Sequence, residues 1–90
     1  MKVVEVGTIV DLSIDNRALT ACVIDPKEYV KRKDMQEITT TSPLGQAIIG
    51  RMENEVVSYN VMTDTHTATI LKVYENIKEY ENNLEKPKTM

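Results

Sequence analysis

Residues 42–50 are Ser-Pro-Leu-Gly-Gln-Ala-Ile-Ile-Gly, and this stretch carries the clearest structural signals in the 90-residue chain. Ser42 is of a type that caps a helix by accepting a hydrogen bond from a free backbone amide. Pro43 has its φ angle preset for the first helical position, and Gly50 can adopt the left-handed conformation that ends a helix. The sequence therefore predicts one short helix here.

This predicted helix has an apolar face and lies between segments with strand patterns. Leu44, Ala47 and Ile48 recur at i, i+3 and i+4, so they form a stripe that can pack on a sheet. Alternating or β-branched patterns before and after the helix are typical of β strands. The predicted strands cover residues 8–14, 18–24, 36–41, 55–62 and 67–74.

Short turns join most of these strands. Asp15 and Asn16 tolerate left-handed backbone and predict a hairpin turn between the first two strands, and residues 63–66 are predicted to turn a second hairpin. Successive strands with one inserted helix favour an antiparallel α+β sheet over a parallel βαβ arrangement. We therefore expect a twisted antiparallel sheet of about five strands, with one short helix packed across it.

In the second strand, one face is more consistently apolar than the other. Leu19, Ala21 and Val23 form that face, so we expect them in the core rather than the alternate residues of the strand. Residues 27–34 carry several basic side chains without periodicity. This charge pattern favours a solvated loop or one irregular helical turn over a nucleic-acid contact.

The C-terminal segment predicts a further helix. We expect a folded domain over residues 1–74 and a charged, partly helical tail over residues 75–90 that ends its helix before Pro87. Three roles are open for this amphipathic helix: it docks on the sheet, mediates a homodimer, or frays. Its apolar stripe consists of Val73, Ile77, Tyr80 and Leu84.

Composition narrows the class of partner. Fourteen acidic and eleven basic residues give a formal net charge of −3, which disfavours a basic nucleic-acid-binding domain.

The cysteine content and the hydropathy bear on the location of the protein. One cysteine, Cys22, excludes an internal disulfide and fits a reducing, cytoplasmic location. No segment approaches the roughly 20 apolar residues of a membrane span. We expect a cytoplasmic domain that binds another protein, with no membrane contact and no direct sequence-specific nucleic-acid binding.

No catalytic or metal-binding constellation stands out. His66 falls in a predicted turn, where a solvated residue is the favoured interpretation, and Cys22 on a strand is better explained by packing than by nucleophilic chemistry. Glu53 and Glu55 flank a predicted turn as a surface acidic pair rather than as acid/base groups. The sequence therefore favours a non-enzymatic protein with no cofactor and no metal.

Residues 42–50 resemble the C-terminal domain of the bacterial Gre transcript-cleavage factors (GreA/GreB), in which a strand enters a Ser-Pro-Leu-Gly-(basic)-Ala-Leu-(Leu/Ile)-Gly turn and helix. Residues 6–10 are similar to the Val-Gly-Ser-x-Val opening of that family, and residues 23–26 to its Ile-Val-Gly-Pro segment. The resemblance covers about residues 3–74, with the segments in the same order. It implies an FKBP-like fold, which agrees with the strand pattern.

The resemblance also implies a partner. This domain docks Gre factors onto bacterial RNA polymerase, at the coiled coil of the largest subunit beside the secondary channel. The Asp-Ser-Pro docking loop of the family maps onto residues 41–43, where Thr41 replaces the carboxylate that could form a charge-assisted hydrogen bond. The expected partner-binding residues are Thr41, Ser42, Pro43, Leu44 and Gly45.

The sequence differs from the Gre pattern in three further respects that bear on the expected function. Gln46 replaces a basic residue of the family, and Asn54-Glu55 replaces its Gly-Asp, which is a conservative change in backbone terms because Asn also tolerates left-handed geometry. Gre factors carry an N-terminal coiled coil whose acidic tip helps hold a catalytic metal, and this sequence begins at the docking domain. We therefore expect polymerase binding and modulation of transcription without cleavage stimulation. The alternatives are an interaction module that dimerises through its C-terminal stripe, and a vestigial prolyl isomerase.

Overall fold

The computed structural model describes residues 2–28 and 35–85, which form an α+β fold. Two α helices occur in these ranges, α1 (Pro43–Ile48) between the third and fourth strands and α2 (Ile77–Glu85) after the last strand. The strands are β1 (Ile9–Ile14), β2 (Arg17–Ile24), β3 (Gln36–Thr39), β4 (Val56–Val61) and β5 (Asp64–Tyr74). All five predicted strands and both predicted helices are therefore confirmed, with small shifts at their ends.

The strands form one sheet in the order β3-β2-β1-β5-β4. Strand β1 pairs antiparallel with β2 and with β5, and β4 pairs antiparallel with β5. Strand β3 pairs parallel with β2, so the sheet is mixed and the expectation of a purely antiparallel sheet is corrected at this edge. The physical reason is the length of the connection: eleven residues separate β2 from β3, which begins opposite Ala21 of β2 and runs parallel to that strand, whereas short turns force antiparallel pairing.

The two hairpin turns differ in how well the sequence predicted them. Asp15 and Asn16 have φ angles of 50° and 71°, so the predicted two-residue left-handed turn is confirmed. The second turn lies at Met62 and Thr63 rather than over residues 63–66, and Met62 adopts a φ of 56°. A two-residue turn of this hand matches the twist of the strands, and the Thr-rich sequence after it has strand propensity.

Strand β5 contains a bulge that explains its irregular apolar pattern. The pairing register with β1 shifts at Leu71, which leaves this residue without a partner. Ile70 and Val73 consequently lie on the same buried face at 0% exposure, whereas Leu71 is 49% exposed. The carboxylate of Glu53 accepts a hydrogen bond from the backbone amide of Val73 at 2.8 Å, which stabilises the irregular segment.

One face of the sheet packs against α1. Ile48, at 0% exposure, is the main apolar contribution of this helix. Leu19 and Leu44 pack against the cluster from its margin. We call this set the α1 core; its buried members are Val4, Val10, Leu12, Ala21, Val23, Ile38, Ile48, Ile70 and Val73.

The opposite face is covered at one end by α2. The prediction that Ala21 and Val23 face the core is confirmed, but Cys22 and Ile24 are also buried because α2 covers their side of the strand. Asn76 caps this helix, accepting a hydrogen bond from the amide of Glu79 at 2.9 Å. We call this set the α2 core; it consists of Ile9, Cys22 and Ile24 with Met35, Tyr74, Ile77 and Tyr80 packed against them.

The predicted C-terminal stripe therefore divides between two elements. Val73 belongs to β5 and to the α1 core, whereas Ile77 and Tyr80 pack in the α2 core. The side chain of Leu84 lies outside the described residues. Docking on the sheet is thus the arrangement that the structure shows for the stripe residues it describes.

The charged segment after β2 is described only at its start. Residues Pro26–Glu28 form a single 3₁₀ turn, which agrees with the predicted irregular helical turn, and residues 29–34 lie outside the described ranges. In the part of the chain that is described, neither helix is long and apolar enough to cross a membrane.

Candidate functional site

The loop that connects β3 to α1 is fixed by Ser42. Its hydroxyl donates a hydrogen bond to the carbonyl oxygen of Thr39 at 2.8 Å and accepts one from the amide of Gly45 at 3.0 Å. The backbone amide of Ser42 donates to the same Thr39 carbonyl at 3.1 Å. The predicted N-cap is confirmed, and Ser42 also ties the helix start to the end of β3.

Gly45 has a packing reason that the sequence analysis did not identify. It is buried in the first turn of α1, and a Cβ atom added to it would lie 1.9 Å from the carbonyl oxygen of Thr39. That carbonyl also accepts both hydrogen bonds from Ser42. Only glycine allows this close approach of the helix to the end of β3.

Of the five predicted partner-binding residues, some are exposed on the surface and the others hold the loop in its conformation. Thr41 and Pro43 are exposed, whereas Leu44 is half-buried against the α1 core. Ser42 and Gly45 hold the loop in place through the contacts with Thr39. The side chains that a partner could contact here are therefore those of Thr41 and Pro43.

The exposed surface continues along α1. Gln46 and Ile49 follow Pro43 at intervals of three residues, so the three side chains share one side of the helix. Gln46 donates from Nε2 to the carbonyl oxygen of Thr41 at 3.1 Å, and Ile49 is 38% exposed. We call Thr41, Pro43, Gln46 and Ile49 the α1 surface. The sequence analysis did not single out Ile49, and its exposure in the structure is what identifies it.

The α1 surface carries no formal charge, because residues 39–50 contain no acidic or basic side chain. The hydroxyl of Thr41 lies 3.5 Å from that of Thr39, a weak contact that leaves it available to a partner. A partner would therefore be recognised through shape, apolar contact and neutral hydrogen bonds rather than through an ion pair.

His66 lies in a different environment from the one that the sequence suggested. It is half-buried on β5 instead of solvated in a turn, its ring stacks on Tyr59 with centroids 5.4 Å apart, and its Nδ1 lies 2.6 Å from Oδ2 of Asp15. Asp15 also accepts a hydrogen bond from the amide of Thr67 at 3.1 Å. The hydrogen bond with His66, followed by the one from Thr67, lowers the pKa of Asp15. This cluster fastens the β1–β2 turn to β5.

The other candidate residues have structural roles. Cys22 is buried in the α2 core, as the packing interpretation expected. Glu55 accepts a hydrogen bond from the amide of Met52 at 2.6 Å, so Glu55 and Glu53 both bind backbone instead of forming a free surface pair. Asn54 has a φ of 74° in the turn that the amide of Glu55 closes by donating to the carbonyl of Met52 at 3.2 Å, which suits its position where the Gre pattern has glycine. Over residues 2–28 and 35–85, no group of three or more His, Cys, Asp or Glu side chains could hold a metal ion.

Comparison with known proteins agrees with this architecture. Solved structures with a similar fold include Thermus aquaticus Gfh1, at 21% identity and a TM-score of 0.68, covering 81% of this chain and 48% of that one. Another is GreA factor homolog 1 (Gfh1) of Thermus thermophilus, at 21% identity and a TM-score of 0.65, with 81% and 49% covered. The transcription elongation factor GreA/GreB of Nitrosomonas europaea aligns at 16% identity and a TM-score of 0.60, with 80% and 60% covered.

At these low identities, the structural similarity shows a shared fold and nothing more, and the chain spans about half the length of the Gfh1 proteins. No curated protein matches the chain in sequence. A family model described as transcription elongation factor, GreA/GreB, C-term, matches residues 1–75, which is most of the sequence. On that match, and with the five-stranded fold that accompanies it, the chain belongs to the GreA/GreB C-terminal domain family of transcription elongation factors.

Proposed function

We propose that the chain binds bacterial RNA polymerase through the α1 surface, and that Thr41 and Pro43 make the central contacts. The observation that carries this proposal is the fixed geometry of the loop: Ser42 bonds to both Thr39 and Gly45, so the two exposed residues are held in one orientation before binding. A preorganised loop loses little conformational entropy on association, which favours its use as a docking element.

The proposed contact point is the coiled coil of the largest polymerase subunit, beside the secondary channel. This assignment follows from the resemblance of residues 41–43 to the docking loop of the Gre family. Thr41 supplies a neutral hydroxyl where the family pattern has a carboxylate, so one charge-assisted hydrogen bond is replaced by a weaker one. We therefore expect this chain to bind the polymerase less tightly than a factor with Asp-Ser-Pro at the same position.

The proposed role is regulation by occupancy. The chain takes the docking position, excludes cleavage-stimulating Gre factors, and has no cleavage-stimulating or other enzymatic activity of its own. Its place of action is the cytoplasm, where the polymerase works, and it needs no cofactor for docking.

A competition assay tests this role. Backtracked elongation complexes are incubated with a cleavage-stimulating Gre factor and increasing amounts of this protein, and the rate of RNA cleavage is measured. The proposal predicts that the wild type suppresses cleavage and that Pro43→Ala suppresses it much less. Tyr80→Ala, on the opposite side of the sheet, is the matched control and should suppress cleavage as the wild type does. Unchanged cleavage at high excess of wild type would reject the role.

The alternative function is an interaction module that dimerises through the C-terminal stripe. Ile77 and Tyr80 pack against the sheet, so this stripe reaches a second copy only if α2 leaves the α2 core. Sedimentation of the chain truncated after Tyr74 tests this alternative. A dimer that persists in the truncated chain, or a monomer in the full chain, would reject a dimer built on α2.

A further inference from the structure

Strand β4 forms an edge of the sheet with which no other strand of residues 2–28 and 35–85 pairs on its outer side. It lies at the end of the order β3-β2-β1-β5-β4, and its residues, Val-Val-Ser-Tyr-Asn-Val, include no charge, proline or glycine. Natural edge strands are usually blunted by such residues, because an open edge pairs readily with another strand. Apolar side chains are also exposed along it: Val56 is 62% exposed, Val61 41% and Met62, in the turn that follows, 97%.

The backbone groups available at this edge can be assigned from the ladder. Ile70 exchanges both of its backbone hydrogen bonds with residues 54–55, donating to the carbonyl of Glu55 at 2.9 Å and accepting from the amide of Asn54 at 2.6 Å. In an antiparallel ladder this role alternates along each strand, so the residues opposite Ala68 and His66 also bond inward. The backbone groups left pointing outward are those of Val56, Ser58 and Asn60.

We propose that β4 pairs antiparallel with β4 of a second copy of this chain, about a two-fold axis that passes at Tyr59. Such an axis is perpendicular to the sheet and keeps each face of one copy continuous with the same face of the other. In this register the outward backbone groups of Ser58 bond to those of Asn60 across the interface.

The register follows from which apolar side chains it covers. With Tyr59 on the axis, Val57 of one copy lies opposite Val61 of the other, and Val56 lies opposite Met62. Directly opposed β-branched and apolar pairs are the side-chain contacts that stabilise a sheet. An axis at Ser58 would instead place Val56 opposite Asn60 and leave Met62 without an apolar partner.

This dimer is compatible with the proposed polymerase contact and independent of it. Residues 41–43 follow β3, at the other edge of the sheet, and α1 packs on the face of β4 rather than on its outer backbone groups, because Val57 packs against the α1 core. One strand per copy buries less than the roughly 1,200 Å² of a stable interface, so the association is weak and concentration-dependent. Each dimer presents two α1 surfaces.

Sedimentation velocity over a concentration series is the first test. We expect the wild type to pass from monomer to dimer with rising concentration. Asn60→Pro removes an outward amide and leaves the backbone ladder to β5 in place, so it should lower the association constant at least tenfold. Asn60→Ala is its matched control, because both variants lose the hydrogen bond that the Thr65 hydroxyl donates to Asn60 Oδ1 at 2.8 Å. Val61→Lys, which adds a charge at the edge, is a second variant in case the proline disturbs the fold. The proposal is overturned if the wild type stays monomeric up to about 1 mM, a concentration at which even weak association is detected. It is also overturned if Asn60→Pro and Val61→Lys both dimerise as strongly as the wild type.

Cross-linking tests the register. Tyr59→Cys places two thiols opposite each other at the axis, at a separation that a disulfide can bridge, so we expect rapid dimer formation under mild oxidation. Ser58→Cys places the thiols two positions out of register and should form much less dimer. The wild type, with only Cys22, reports any background. Preferential cross-linking through Ser58→Cys would overturn the register with Tyr59 on the axis.

Discussion

The two helices of this domain are held in contrasting ways. Helix α1 has six residues and is held by contacts with the backbone of β3. Ser42 caps the helix and bonds to the carbonyl of Thr39, and Gly45 packs closely against the same carbonyl. Helix α2 has nine residues and rests on side chains, with Ile77 and Tyr80 on the sheet and Glu79 paired with Lys2. The shorter helix is thus the more closely integrated with the sheet.

The contrast shows that helix length does not decide which helix is fixed most firmly. A six-residue helix is far below the length at which an isolated helix is stable in water, so α1 exists through its tertiary contacts. Because these tertiary contacts hold α1 in one orientation, Thr41 and Pro43 are exposed in one fixed arrangement. Helix α2 covers apolar surface of the sheet, but its contacts do not fix the conformation of a neighbouring loop as those of α1 fix residues 41–43.

The largest expected effect comes from filling the space at Gly45. Gly45→Ala would place a methyl group 1.9 Å from the Thr39 carbonyl oxygen, so α1 must move away from β3. We expect a loss of about 4 kcal/mol in the free energy of unfolding, measured by urea denaturation. Gly50→Ala is the control: its φ of 78° is strained for alanine, but nothing lies within 4 Å of the added methyl. The control should lose about 1 kcal/mol, and equal losses in the two variants would contradict the close-packing account.

Truncating one apolar anchor in each helix compares their contributions directly. Ile48→Ala removes a fully buried side chain from the α1 core and should cost about 3 kcal/mol. Tyr80→Ala removes a half-buried ring that contacts Tyr74 edge to face at 5.1 Å, and should cost about 1.5 kcal/mol. Hydrogen exchange in Tyr80→Ala should accelerate in α2 but not in α1. A larger loss for Tyr80→Ala than for Ile48→Ala would reverse the ranking of the two helices.

The smallest expected effect lies away from both helices, at Asp15. Its hydrogen bonds with His66 and Thr67 hold the pKa of this carboxyl below its ordinary value of 3.8, so ionised Asp15 favours the folded state. That stabilisation is present above about pH 4 and is lost as the pH falls through the lowered pKa of the folded protein. Asp15→Asn should therefore lose less stability than the wild type between pH 4 and pH 2. Asp64→Asn, an exposed carboxylate at the start of β5, is the comparison, and the account is wrong if both variants behave alike.

Local chemistry made much of the fold predictable from the sequence. The cap at Ser42, the left-handed turn at Asp15 and Asn16, and the apolar stripe of α1 each depend on residues close together in the chain. The resemblance at residues 42–50 added the family, which the match over residues 1–75 shows independently. These features follow from backbone preferences that act over a few residues.

Three of the features that were missed depend on contacts between residues of different secondary-structure elements. The parallel pairing of β3 is set by a long connection, and the need for glycine at position 45 arises from the carbonyl of Thr39. His66 was expected in a turn because Thr and Asp surround it, yet its pairing with Tyr59 across the hairpin places it on a strand. Such contacts cannot be predicted from the periodicity of apolar residues or from the presence of turn-forming residues.

The central claim is that the fixed loop before α1 binds the polymerase, and calorimetric titration into bacterial core RNA polymerase tests it most directly. The account predicts saturable binding by the wild type, at least tenfold weaker binding by Pro43→Ala, and tighter binding by Thr41→Asp, which restores a charge-assisted hydrogen bond. Val56→Ala, an exposed residue of β4 that takes no part in the α1 core, should bind like the wild type. No binding by the wild type, or equal affinities for wild type and Pro43→Ala with both proteins folded, would contradict the claim.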